Sequence, residues 1–197
     1  DLALVSVPRD SAGLTIEAVP AFDATRKLFK VVFDAVAGGT LVARGEMAAR
    51  ALHDATRLAT VAVCAELVGG MQWVLDTSVE YAKTREQFGR VIGSFQGLQH
   101  RAAELFAELE LARSIVLQAL QAIDDGQEDL SLIASAAKAK LCELAQLATN
   151  EGIQMHGGIG MTDEHEIGFF IKRARVAQHT FGDYNYHLDR FAQLSGF

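Results

Sequence analysis

Residues 81–96 read YAKTREQFGRVIGSFQ, and residues 154–162 read QMHGGIGMT. Each closes a long stretch of helical periodicity, so the fold is read outward from them. Before the first, Leu58, Val61, Ala65, Val68, Gln72 and Leu75 recur at three- and four-residue spacing. That spacing predicts one helix over 51–83. Gly69-Gly70 within it costs about 1 kcal/mol per glycine relative to alanine, so the pair reads as a close-packing site. Residues 88–93 read as a loop, and a second helix runs from 94–95 to 123. Asp124-Asp125-Gly126 is a helix stop. A third helix spans 130–155 and ends at Gly157-Gly158. Asp163 with Glu166 three residues on resembles a capping box for a fourth helix, to 177. Gly182 separates it from a last helix over 184–194.

The start of the chain has a different texture. Residues 2–7, 14–19 and 28–33 are short apolar or alternating runs, predicted as three strands of an antiparallel meander. Gly38-Gly39 breaks the chain, and 38–48 read as a loop. Both prolines, Pro8 and Pro20, lie in this β segment. The fold class is therefore mainly α: a helical bundle with short connections, preceded by strands. The implied organisation is β over 1–36, a linker over 37–50 and a helical domain over 51–197.

Composition excludes several classes. Half of the 197 residues are hydrophobic, enough to offset the entropy of ordering, so the chain is not disordered. A net charge of −7 argues against a nucleic-acid partner. Two cysteines, Cys64 and Cys142, make no disulfide framework. As buried thiols they fit a reducing, cytoplasmic setting. Residues 58–74 contain Glu66 and Gln72 and are too short and polar to predict a membrane span. Glu66, in mid-stripe, reads as a buried structural carboxylate. The chain has no initial methionine and opens in a strand-like run, which suggests a start partway through a longer protein.

No zinc spacing, Ser-His-Asp set or dinucleotide-binding glycine fingerprint is present. The acids of 163–166 and the bases Lys172, Arg173 and Arg175 complement a helix dipole, so no metal is expected. Tyr184, Tyr186, His187 and Phe191 read as a packing face. Taken singly, 81–96 is a helix–loop–helix corner with Phe88 in the core, and 154–162 a glycine helix stop. Yet Arg85 offers planar donors suited to a pyrophosphate, Phe88 can pack on a ring, and the glycines allow close approach.

Together the two segments resemble the acyl-CoA dehydrogenase family, whose members read YxxxRxxFGxxIxxFQ and QxxGGxGxT. Tyr81, Arg85, Phe88, Gly89, Ile92, Phe95, Gln96, Gln154, Gly157, Gly158, Gly160 and Thr162 match. The resemblance implies that 1–36 are the last strands of a middle β-barrel domain and 51–197 the C-terminal four-helix-bundle domain. It implies FAD shared across a subunit interface, in a homo- or hetero-oligomer (dimer or tetramer). Arg85, Gln87, Phe88, Gln96, Gln154, His156, Gly157, Gly158 and Asp183 would be its contacts. The implied reaction is α,β-dehydrogenation of an acyl-CoA in lipid and fatty acid metabolism, with a separate flavin electron acceptor.

The family base is a glutamate. Ungapped alignment from Gly157 puts Phe181 at that position in Thr180-Phe181-Gly182-Asp183, and alignment from Gln72 puts Ala59 at the alternative one. Three readings follow. This chain is the base-less, FAD-binding subunit of a heteromeric enzyme; or Asp183 serves as base in a homomer; or the fold carries other chemistry, as a flavin monooxygenase or a non-enzymatic helical interaction module.

Overall fold

A computed structural model describes residues 2–197. The chain divides into two compact units, Asp1–Thr56 and Arg57–Phe197. In the first, β1 (Ala3–Ser6), β2 (Leu14–Val19), β3 (Leu28–Phe33) and β4 (Thr40–Arg44) form two separate antiparallel pairs. β2 and β3 make a hairpin in the register Leu14↔Phe33 to Val19↔Leu28. β1 pairs with β4, with a bulge between Leu4 and Val5. This corrects the three-strand meander: β1 bypasses β2 for a fourth strand. It also corrects the loop at 38–48. Thr40–Arg44, with β-branched Thr40 and Val42, suits a strand, and helix begins at Glu46 directly after Gly45, whose φ is +60°. The apolar side chains Ile16, Phe29, Val31 and Phe33 stay exposed in this unit.

The second unit is the bundle. α1 (Glu46–Thr84) begins in the first unit and runs on into it. α2 (Gln96–Asp124), α3 (Leu130–His156), α4 (Ile167–His179) and α5 (Tyr184–Leu194) follow. One apolar core joins Val61, Cys64, Leu67, Met71 and Val74 of α1 to Leu105, Leu109 and Ala112 of α2 and Leu141, Leu144 and Ala148 of α3. Each large side chain so buried is worth about 1.5–3 kcal/mol. α3 packs on α2, α4 and α5 and buries side chains over most of its circumference, leaving Glu143, Asn150 and Gln154 exposed along one stripe, as its Ala- and Leu-rich sequence requires. Gly152 makes the tightest of these contacts possible. A Cβ there would lie 2.7 Å from Val74 Cγ1 and 3.1 Å from Ile167 Cδ1.

Polar ties join the helices at the rim. Arg101 bonds Glu151 at 2.5 Å, Lys140 pairs with Glu108, and Arg113 donates to Gln72 at 2.5 Å. Part-exposed, they add little to stability beyond orientation.

Several local expectations are corrected. Glu66 is not buried: it is exposed and pairs with Arg173 at 3.2 Å. Gly69 faces open space. Only Gly70 meets a neighbour, the Phe170 ring that stacks on Trp73 at 4.3 Å. The capping box at α4 does not form. The Asp163 carboxylate points to Lys172 at 3.6 Å, and His165 Nδ1 instead accepts from the Ile167 amide at 3.1 Å. Of the expected packing face on α5, His187 is buried while Tyr186 and Phe191 are exposed. α1 proves long and apolar enough to cross a membrane by length and composition, with half of that stretch buried inside the protein, as in a core helix.

Replacing Gly152 with valine should cost at least about 2 kcal/mol, because Val74 and Ile167 leave no room for it. Denaturant unfolding of the full-length protein checks this. An unchanged midpoint would mean the helices separate freely there.

Candidate functional site

The two motif segments meet at one end of the bundle. α1 ends at Thr84, three residues after Tyr81, and a minimal hairpin follows, β5 (Glu86–Gln87) and β6 (Arg90–Val91), turned by Phe88-Gly89. Both turn residues have positive φ, +53° and +76°. That is the geometry a two-residue hairpin favours, but one a phenylalanine rarely adopts. The outcome is an aromatic ring held 90% exposed at the tip. The corner reading with Phe88 in the core is thus overturned: the tight turn leaves its side chain nowhere to fold back. Phe95 lies edge-on to Phe88 at 6.1 Å, with the Arg90 guanidinium 4.0 Å over the Phe95 ring. Arg85, Gln87 and Gln96 are exposed beside the tip.

The glycine segment adjoins it. His156 ends α3 and stacks on Tyr81 with ring centroids 4.5 Å apart. Gly157, at φ +65°, stops the helix, and a 3-10 turn carries the chain to Met161. A Cβ on Gly157 or Gly158 would meet nothing within 4 Å, so their backbone is bare toward solvent. Gln154 is exposed on the preceding turn.

His156 itself is buried. Nδ1 donates to the Gly152 carbonyl at 2.6 Å, and Nε2 is buried without a hydrogen-bond partner. The Nδ1 bond fixes the tautomer, so Nε2 carries a lone pair. Burial is the main reason its pKa falls below the usual 6.5, and nearby His165 adds to the effect. His165, stacked at 4.4 Å, carries its own lone pair on Nδ1, where it receives the Ile167 amide.

Asp183 does not join this cluster. It follows α4, in the turn that Lys138 of α3 reaches through Gly182 O. Lys138 and His156 are 18 residues apart on α3, which is about 27 Å at the helical rise. The Asp183 Oδ1 accepts from the Tyr186 amide at 2.9 Å and caps α5. Phe181 beside it is the second aromatic at positive φ (+61°), with 44% of its surface exposed. Only one other non-glycine among the described residues, Ala35, has positive φ. Backbone strain of this kind persists only where the surrounding structure holds it.

Sequence reading missed Lys138 and the Tyr81–His156–His165 stack. The signal for Lys138 was available. Ala134, Lys138, Leu141 and Ala145 lie on one helical stripe, which places a charge among core residues.

The bundle, with its exposed aromatic hairpin and bare glycine turn, belongs to a known class. The profile of the acyl-CoA dehydrogenase C-terminal domain matches residues 50–195, and the chain belongs to the acyl-CoA dehydrogenase family. It is 32% identical over 188 residues to the acyl-CoA dehydrogenase IpdE2 of Mycolicibacterium smegmatis, covering 92% of this chain and 55% of that one. It is 41% identical over 116 residues to IpdE2 of Mycobacterium tuberculosis, covering 59% of this chain and 35% of that one. Among solved structures, a Tcur3481-Tcur3483 steroid ACAD variant superposes with a TM-score of 0.87 at 28% identity, over 98% of this chain and 51% of its own. An acyl-CoA dehydrogenase from Geobacillus kaustophilus shares the fold, with a TM-score of 0.92 at 21% identity over 99% of this chain and 52% of its own. The chain thus spans about half the length of these solved structures and no more than 55% of the two curated relatives.

Because the folded protein disfavours charge on His156, stability should fall as pH drops below about 6.5, where the unfolded chain binds the proton first. His187, lowered chiefly by burial, acts in the same sense. The slope of melting temperature against pH between 7 and 5 should be shallower in His156→Gln. An unchanged slope would remove His156 as a contributor.

Proposed function

We propose that this chain is an FAD-binding subunit of an acyl-CoA dehydrogenase that catalyses α,β-dehydrogenation of an acyl-CoA thioester. The observation that carries the reading is the Phe88 hairpin beside the bare Gly157-Gly158 turn. It offers an exposed ring, the planar donors of Arg85 and the amides of Gln87, Gln96 and Gln154 to a molecule outside the bundle. These groups fit a dinucleotide. The ring suits an aromatic base, the guanidinium suits a pyrophosphate, and glycine backbone lets phosphate oxygens approach. The bare arginine supports this, since among the described residues its side chain has no hydrogen-bond or ion-pair partner. The separation of about 27 Å between this end and the Asp183 turn supports FAD sharing: in an oligomer the two ends of one chain serve two cofactors. FAD when bound supplies the redox chemistry, and this chain binds and orients it.

The chain further acts as the subunit that lacks a base. Proton abstraction next to the thioester needs a carboxylate within hydrogen-bond reach. Phe181 cannot take a proton, and the Asp183 carboxylate is engaged in capping α5. A paralogous subunit would then contribute the glutamate, while Phe181 closes the acyl site. The similarity to a structure whose name joins Tcur3481 and Tcur3483 supports a two-chain assembly. Buried, unpaired Cys64 and Cys142 support a cytoplasmic setting.

The full-length protein purified with its partner should be yellow and should reduce an artificial electron acceptor when given an acyl-CoA. Arg85→Ala should weaken FAD binding about tenfold, the size expected for one charge-assisted contact. Colourless preparations that bind no added FAD would end the flavoprotein reading. Phe181→Glu should give the homomer dehydrogenase activity that the wild-type homomer lacks. Vigorous turnover by the wild-type homomer would end the base-less reading while leaving the flavin site intact.

A further inference from the structure

We infer that Lys138 is a positioning residue: from inside the bundle its ammonium holds the turn between α4 and α5, and so determines where Phe181 and Asp183 stand. The inference rests on the proposed function for the role of that turn, and on the geometry of the bundle for everything else.

Lys138 is completely buried in mid-α3. An ammonium has three N–H donors, and all three have acceptors. Nζ donates to Gly182 O at 2.7 Å, to Gln178 O at 3.0 Å and to Cys142 Sγ at 3.5 Å. Among the described residues no carboxylate forms an ion pair with it. Packing alone does not explain such a residue. Burying a charge costs several kcal/mol, and an apolar side chain of the same volume fills the space without that cost. What offsets the charge here is backbone. Gln178 lies in the last turn of α4, where unsatisfied carbonyls carry the negative end of the helix dipole. Gly182 O belongs to the turn that follows. One side chain thus fastens the end of α4 to the turn leading into α5.

Other bonds pull the same way. His187 Nε2 donates to Phe181 O at 3.0 Å, and Gln178 Nε2 donates to the Cys142 carbonyl at 2.7 Å. With the carbonyls of 178, 181 and 182 all drawn inward, the Phe181 side chain stands outward at φ +61°. Left-handed backbone costs a phenylalanine about 1–2 kcal/mol, so it persists only while its surroundings hold it. Gly182 tolerates the next step, at φ +111°, where a Cβ would come within 2.3 Å of Tyr186 Cδ1. Asp183 then caps α5. Without Lys138 the Gly182 carbonyl loses its donor and the Gln178 carbonyl keeps only the weak Cys142 Sγ–H contact at 3.7 Å, and Phe181 is free to relax to ordinary φ.

The test uses Lys138→Met, which keeps the stem and removes charge and donors, and Lys138→Arg, which keeps the charge on a longer, planar head. Both are made in the full-length assembly. Hydrogen exchange of the bonded amides of Thr180, Tyr186 and His187 should quicken at least about tenfold in Lys138→Met and by less in Lys138→Arg, with α2 amides changed far less. FAD affinity should fall severalfold in Lys138→Met and recover in part in Lys138→Arg. Should Lys138→Met fail to fold, Lys138→Arg decides by itself: faster exchange confined to the amides of Thr180, Tyr186 and His187, together with weakened FAD binding, supports the inference, and wild-type exchange overturns it. Exchange that rises equally throughout the bundle, or faster exchange at the turn with wild-type FAD affinity, also overturns it, because the lysine would then be structural only. Failure of the underlying functional reading is seen separately, as a wild-type assembly that binds no FAD.

Discussion

A helix with only a narrow solvent stripe has to find partners on its other sides, and α3 is such a helix, exposed only along Glu143, Asn150 and Gln154. Its buried residues Leu130, Ala134, Leu141, Leu144, Ala148 and Met155 line one face, and Ser135, Lys138, Cys142 and Thr149 are buried beside them. α2, α4 and α5 pack on it, and α1 closes on Gly152 through Val74. The rest of the bundle is arranged to satisfy that one requirement. Its length also has a functional consequence. The glycine turn leaves its C-terminal end, while Lys138, about 27 Å back along the axis, anchors the Phe181 turn.

Two aromatic side chains at opposite ends of this frame share an unusual backbone. Phe88 and Phe181 both have positive φ, and both project from the bundle. Each is held by a different device. A two-residue hairpin closed by the Glu86–Val91 and Gln87–Arg90 pairs holds Phe88. Phe181 is held by inward carbonyl bonds to Lys138 and His187. Presenting a ring this way restricts it before any ligand arrives, so less conformational freedom is lost on contact. A flexible loop carrying the same phenylalanine would offer the same area with weaker binding.

The long elements were legible because their signals are local and repeated. Three- and four-residue spacing, the Gly157 stop and the Asp125-Gly126 stop brought α2, α3 and α5 close to their observed limits, and α5 exactly spans 184–194. The β segment was less legible. Short strands state which residues are extended but not which partner they choose, so the pairing of β1 with β4 escaped. The α4 entry escaped for a related reason. An acid at 163 and another at 166 satisfy the capping pattern, yet His165 reached the Ile167 amide first.

For the site, residue identity carried the chemistry and the fold decided its use. The sequence by itself determined the bundle, the two motif segments and the absence of a glutamate at position 181, because these depend on periodicity and residue type along one chain. Only the tertiary structure decided that Phe88 faces out, that Glu66 pairs at the surface, that Lys138 points inward at backbone carbonyls, and that Asp183 stands apart from the other candidate contacts. Those outcomes depend on which helices meet and on where tight turns leave a side chain, and neither is written in the local pattern.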